Sequence, residues 1–293
     1  MTEKTLPRPS DFDAYWAAVD QELSQFDAAP TLERLALPSD EFSTVYGVKL
    51  TSIGPYRIFG YLSIPNGDGP FPALLNTPGY GSVNHLPHLD DRQRYVTLIL
   101  MHRGQRLADQ PFAASYPDLL TLGIDDPATY IYRSIVADCL RGAEFLLSLP
   151  QVDKSRVGIA GGDLARITAA RRPGFSAVQA SGLMFHQLMA TAKTSEAYPV
   201  EEMNDYLRYY PDKTDAVEKT LAYLEPIHHV STIQGTTLFN GGGASVKGLA
   251  DAIPGTTEFY DLTHEGGTDH DWTDAWMAKQ LGSVAKPRLW EVA

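Results

Sequence analysis

Apolar positions in residues 10–23 recur at helical spacing. Phe12, Tyr15, Trp16 and Val19 fall on one side and predict a helix. The spacing then changes. Residues 45–50 and 57–64 are rich in Val, Ile, Tyr and Phe and flank a turn at Gly54-Pro55, which predicts a β-hairpin feeding the next strand. Further on, apolar runs at 71–76, 95–101, 156–160, 175–182, 236–240 and 258–262 predict strands. Residues 130–149 predict a long amphipathic helix stopped by Pro150, and another helix is predicted directly after Gly161-Gly162-Asp163. Apolar strands separated by helices predict an α/β fold, a mostly parallel sheet covered on both faces. In such sheets the chemistry collects at the carboxyl ends of the strands. That rule picks out Tyr80, Arg103, Asp163, Asn240 and His264.

Composition narrows the picture modestly. A chain of 293 residues with 43% hydrophobic positions buries a core large enough to need neither disulfides nor structural metals. No internal repeat or long linker divides it, so one domain spanning 1–293 is expected, with residues 1–65 as an N-terminal helix and β extension. The lone Cys139 excludes an intrachain disulfide and fits a reducing compartment. The first seven residues lack a basic start followed by an apolar run, and no stretch approaches the ~18 apolar residues that a bilayer span needs. A cytoplasmic location is the expectation. A net charge of −12 argues against nucleic acid or an anionic membrane as a partner.

A series of short motifs, in order along nearly the whole chain, is more specific. Pro9-Ser10-Asp11-Phe12-Asp13-Ala14-Tyr15-Trp16 opens it. Pro78-Gly79-Tyr80-Gly81 and Arg103-Gly104-Gln105 follow. Tyr130-Ile131-Tyr132-Arg133 comes next, with Asp138 and Arg141, then Asp205-Tyr206-Leu207-Arg208, Thr220-Leu221-Ala222-Tyr223 and His264-Glu265. Together they resemble the acetyl xylan esterase and cephalosporin C deacetylase group of α/β-hydrolases, carbohydrate esterase family 7. The resemblance implies an α/β-hydrolase fold with an N-terminal hairpin. It implies that the Pro78–Gly81 turn carries the oxyanion hole, with backbone N–H groups of Tyr80 or Gly81 and of Leu164 as its donors, and that His264 is the catalytic histidine. It further implies a symmetric homo-oligomer whose inward-facing sites admit small molecules, assembled through the region 45–64.

Two departures from that pattern govern the chemistry. The group carries Gly-Gly-Ser-Gln-Gly at its nucleophile elbow, whereas this chain reads Gly161-Gly162-Asp163-Leu164-Ala165. Gly161 and the small Ala165 keep the tight strand-to-helix turn possible, but the serine is replaced by aspartate. The loop that carries the group's acid reads Phe239-Asn240-Gly241-Gly242-Gly243-Ala244-Ser245 and holds no carboxylate.

A carboxylate attacks an ester carbonyl poorly, because the resulting anhydride is less stable than the ester. It attacks saturated electrophilic carbon well, giving an alkyl-enzyme ester that histidine-activated water cleaves. The leading expectation is therefore a hydrolase of a strained ring, such as an epoxide or aziridine, or of a carbon–halogen bond. Asp163 would be the nucleophile and His264 the water-activating base. Asn240 would orient His264 in place of the acid, and Tyr80, His102 or His186 would serve as proton donors. Two alternatives stay open. An Asp163–His264 pair would activate water directly on an ester or amide, or the chain would be a non-catalytic binder that has lost its triad.

Plainer roles stand beside these. Asp163 would also serve as a helix N-cap, since aspartate is favoured there. His264 would equally be a polar loop residue. Arg103 is expected to pair with a carboxylate and hold its loop. The run from His264 to Asp271 mixes His and Asp without a recognised metal spacing, so no metal and no cofactor is expected. The tyrosines of 206–210 fit a pocket roof or an interface equally well.

Overall fold

In the computed structural model, residues 5–81, 85–263 and 269–287 are described. The chain begins with helix α1 (Phe12–Ser24) and three antiparallel strands, β1 (Thr31–Arg34), β2 (Ser43–Thr51) and β3 (Arg57–Pro65). There follow β4 (Phe71–Asn76), α2 (Leu89–Arg92), β5 (Val96–Met101), α3 (Ile131–Ser148), β6 (Val152–Gly161) and α4 (Asp163–Arg171). Strand β7 (Ala177–Ser181) leads into an excursion of α5 (Leu188–Ala192), α6 (Glu201–Tyr209) and α7 (Thr214–Leu221). The chain returns through β8 (Thr236–Asn240), α8 (Lys247–Asp251), β9 (Thr257–Tyr260) and α9 (His270–Gln280). Every strand run read from the sequence is present. β1 is additional: all four of its residues are exposed, so it carries no burial pattern to read.

The strands form one sheet in the order β1-β2-β3-β5-β4-β6-β7-β8-β9. Pairing is antiparallel from β1 to β5 and parallel from β5 through β4, β6, β7 and β8 to β9. The chain starts its parallel part at β4, moves outward to β5, and then crosses to β6 on the other side. That switch opens a crevice at the carboxyl ends of β4 and β6, where ligands bind in open α/β sheets. The interior parallel strands are buried on both faces, β5 along all six residues, which is why they read as unbroken apolar runs.

Both sheet faces are covered. One large cluster joins α1, α3 and α4 to the sheet through Trp16, Val136, Leu140 and Ile167. A smaller cluster packs Trp276, Met277 and Leu281 of the α9 region on Leu74, Ala177 and Leu238. The indole N–H of Trp16 donates to the Tyr223 carbonyl at 3.1 Å, tying α1 to the end of the helical excursion. Cys139 is buried within α3. Among the described residues no helix is long and apolar enough to cross a membrane.

Candidate functional site

The turn from β6 into α4 is forced by glycine. Gly161 has φ +149°, and a Cβ there would lie 2.1 Å from the Thr77 hydroxyl oxygen. Gly162 occupies the cap position, so Asp163 is the first residue of α4 rather than its N-cap. A cavity of about 310 Å³ lies above this turn. The loop after β4 (Pro78, Gly79, Tyr80), the end of β5 (His102), the elbow residues Asp163 and Leu164, and the loop after β7 all line it. Tyr80, Leu164, Asp163 and His102 are thus brought to one place, as the sequence reading requires. The N–H of Leu164 sits in the first turn of α4, where no preceding carbonyl is available to accept it.

The Asp163 carboxylate, however, is not free. Asp163 is 2% exposed. Its Oδ1 accepts from a guanidinium nitrogen of Arg166 at 2.6 Å, and its Oδ2 accepts the backbone N–H groups of Phe185 at 2.7 Å and His186 at 3.3 Å. Arg166 also donates to the carbonyls of Gly182 at 3.2 Å and Ala180 at 2.6 Å, with its guanidinium 4.9 Å from the centre of the Phe239 ring. Burial pushes the Arg166 pKa down and Asp163 opposes that. A carboxylate whose two oxygens are occupied by a cation and two amides is a weakened nucleophile. The arrangement runs against the expected attack by Asp163 on carbon. The ion pair instead fastens the elbow to the end of β7.

His186 departs from expectation as well. It is buried, its Nδ1 lies 3.1 Å from Glu225 Oε1 and its Nε2 lies 3.2 Å from the Ser245 carbonyl. Both neighbours are acceptors, so only the imidazolium satisfies both nitrogens. Burial lowers its pKa, but the bond to Glu225, the Ser245 carbonyl and the nearby carboxylates outweigh it, and the net shift is upward. His186 is committed to Glu225 and the Ser245 carbonyl and does not line the cavity, so it is not placed to donate a proton there. The Tyr80 hydroxyl is similarly committed: it donates to the buried Glu202. Glu202 also accepts the N–H groups of Asp118 at 2.9 Å and Leu120 at 3.1 Å.

His102 is fully buried, with Nδ1 2.6 Å from the Arg103 carbonyl. That acceptor fixes the proton on Nδ1 and leaves Nε2 as a lone pair, which has no partner among the described residues. Burial pushes the pKa of His102 down to about 4, so it is neutral in the folded protein. Asn240, at the end of β8, is 9% exposed, and neither atom of its amide has a partner among the described residues. His264 lies outside the described residues. Among the described residues no cluster of His, Cys, Asp and Glu is arranged to hold a metal.

The Arg-Gly-Gln element is structural, in two ways. Arg103 grips Asp138 of α3, with Nε to Oδ2 at 3.0 Å and a second guanidinium nitrogen to Oδ1 at 2.7 Å, which is the carboxylate pairing expected of it. Gln105 splints the oxyanion turn. Its amide nitrogen donates to the carbonyls of Gly79, at 3.1 Å, and Gly81, while its oxygen accepts the His102 N–H at 3.1 Å. Sequence reading missed the roles of Gln105, Arg166 and Glu202. The signal for Arg166 was available, since Asp163 and Arg166 are three residues apart on a helix and so share a face.

The family model for acetyl xylan esterase matches residues 2–272. Acetyl esterase Axe7A of Xylanibacter ruminicola is 26% identical over 189 residues, a match covering 59% of this chain and 43% of that protein, so the chain aligns with less than half of its relative. The acetyl xylan esterase of Paenibacillus sp. R4 superposes with a TM-score of 0.82 at 20% identity, over 96% of this chain and 97% of that one. Acetyl xylan esterase 1 of Thermoanaerobacterium sp. JW/SL YS485 gives 0.83 at 20% identity, over 96% of both. The fold is that of these α/β hydrolases, and the chain belongs to the acetyl xylan esterase family of hydrolytic enzymes.

Proposed function

We propose that the protein hydrolyses a small ester in the cavity above the elbow, with water rather than a side chain as the attacking group. One observation carries this reading. The residue at the nucleophile position, Asp163, lines the cavity but is held by Arg166 and two backbone N–H groups. The Arg166 and Asp163 side chains are 1% and 0% exposed, so the carboxylate is not open to attack a ligand. His264 is the base of this reading: it takes a proton from water and becomes an imidazolium. The water oxygen bonds to the carbonyl carbon and the carbonyl oxygen becomes an oxyanion, received by the N–H groups of Leu164 and Tyr80. The intermediate then collapses: the bond to the alkoxy oxygen breaks, and the imidazolium returns its proton to the departing alcohol. Acid and alcohol leave, and no enzyme bond has formed. Family membership supports the ester as the substrate class over the strained rings and halides that an aspartate nucleophile would select.

The test is hydrolysis of p-nitrophenyl acetate by wild type and His264→Ala, in the steady state and in a rapid-mix experiment. Wild type is expected to turn over without a burst of p-nitrophenol, since no covalent intermediate accumulates. His264→Ala is expected to lose about 100-fold or more in kcat, the usual contribution of a general base. A stoichiometric burst in wild type, or an unchanged rate in His264→Ala, would overturn the mechanism. No hydrolysis above buffer would replace it with binding without turnover.

A further inference from the structure

The cavity above the elbow also carries information about what it holds. Its walls are apolar: Leu164, Leu183, Met184 and Val200, with the rings of Tyr80 and Tyr132. Most of the polar side-chain groups among them are engaged; among the described residues the Ser181 hydroxyl and the Nε2 of His102 are not. The Tyr80 hydroxyl donates to Glu202, and the Tyr132 hydroxyl points to the Met184 sulfur at 3.9 Å. His102 has its Nδ1 on the Arg103 carbonyl. Among the described residues of the lining Asp163 is the one that bears a charge, and Arg166 neutralises it. A polyhydroxylated or charged ligand entering here would give up more water hydrogen bonds than these few groups and the N–H groups of the turn replace, at a substantial cost.

The wall is also set in advance. Glu202 of α6 clamps Tyr80 to the backbone of Asp118 and Leu120, which holds the start of α6, next to the cavity-lining Val200, over the opening. A dry cavity of about 150 Å³ takes a benzene ring, so a volume of about 310 Å³ accommodates on the order of ten non-hydrogen atoms. An acetyl group has three, so it would leave most of this apolar surface in contact with water.

We propose that the cavity takes an uncharged molecule bearing an apolar acyl or alkyl chain of about four to eight carbons, and that the lining of Leu164, Leu183, Met184 and Val200 sets this preference. The proposal extends the ester-site reading above, and rests on it for the reactive group alone.

Two measurements test it. The first is kcat/KM on p-nitrophenyl acetate, butyrate, hexanoate and octanoate. The second needs no turnover: the rise in unfolding temperature produced by linear 2-ketones from butanone to decanone, with glycerol and a neutral monosaccharide as polar controls. Both are expected to climb with chain length, by up to about fourfold per methylene in kcat/KM or affinity, and to level off near eight carbons. Leu183→Asp is expected to flatten the climb. Val200→Asp is the second variant; both positions are half-buried, so each keeps the fold, as its thermal unfolding will show. A flat or falling dependence in both series, or a polar control binding better than the ketones, overturns the proposal. A climb in the ketone series without ester hydrolysis keeps the proposal and removes the ester mechanism. Ester hydrolysis that is flat with chain length, beside a flat ketone series, does the reverse.

Discussion

Replacing Asp163 by alanine tests whether the elbow aspartate is a fastener. The Asp163 and Arg166 side chains are 0% and 1% exposed and meet at 2.6 Å. Removing the carboxylate leaves a guanidinium in the interior with the Ala180 and Gly182 carbonyls and the Phe239 ring for company. It also orphans the Phe185 and His186 N–H groups. Breaking a buried pair from one side costs about 3–5 kcal/mol. The orphaned amides place Asp163→Ala at the upper end of that range. Arg166→Ala is expected at the lower end, because the carboxylate it strands keeps two amide donors.

The double variant Asp163→Asn with Arg166→Met removes both charges and retains an oxygen for one amide. It is expected within about 2 kcal/mol of wild type, since apolar or neutral replacements of a buried pair are often near neutral. A urea denaturation series on wild type, the two single variants and the double variant reads this directly, provided the slopes agree. The coupling between the two positions is expected to exceed about 2 kcal/mol. A cost for Asp163→Ala below about 1 kcal/mol, or additive single variants, would refute the fastener and return Asp163 to the list of reactive groups.

The other expectations are quicker to state. His102 is neutral in the fold with its pKa near 4, and burial also pushes His229 down, to about 3. The unfolded chain therefore takes up protons first, and stability falls as pH drops below the ordinary histidine range. His102 alone accounts for about 3 kcal/mol of that loss by pH 4, and an acid limb unchanged in His102→Gln would count against it. His186 has the opposite sign. Its pKa is raised, so its contribution is present at low pH and fades as pH rises through the folded value, and His186→Gln is expected to flatten the alkaline limb of a stability–pH curve. Gly161→Ala forces a Cβ to within 2.1 Å of the Thr77 oxygen at φ +149° and is expected to cost at least about 3 kcal/mol by denaturant titration. Gln105→Leu frees the Pro78–Gly81 turn from its splint and is expected to lower kcat/KM about tenfold or more on any ester turned over, with KM nearly unchanged; an unaltered kcat would detach the turn from catalysis.

What the sequence makes legible follows its range of interaction. Buried parallel strands announce themselves locally, since every residue of β5 is apolar or paired within the sheet, and the boundaries read from 95–101 and 236–240 match the observed strands to within a residue. β1 does not announce itself, because four exposed residues on a sheet edge have no pattern to show. At the site, the residue types were legible and their commitments were not. That Asp163 stands at the elbow is visible in Gly161-Gly162-Asp163. That its second oxygen is occupied depends on Phe185 and His186, more than twenty residues downstream in the loop after β7. His186 reads as a free cavity histidine until Glu225 and the Ser245 carbonyl, 39 and 59 residues away, take both of its nitrogens.

The same long-range bonds explain how an elbow survives without its serine. A serine hydroxyl at that position asks little of its surroundings, whereas an aspartate brings a charge into a site that is 2% exposed. Such a charge is tolerable only with a partner and hydrogen bonds on its remaining lone pairs. Arg166, Phe185 and His186 supply them, and in doing so they draw α4 against the end of β7. The turn, the splint at Gln105 and the clamp at Glu202 then hold an apolar cavity beside a carboxylate whose oxygens are already engaged. A site built this way favours positioning of its ligand over covalent chemistry, and that is the ground for proposing water as the attacking group.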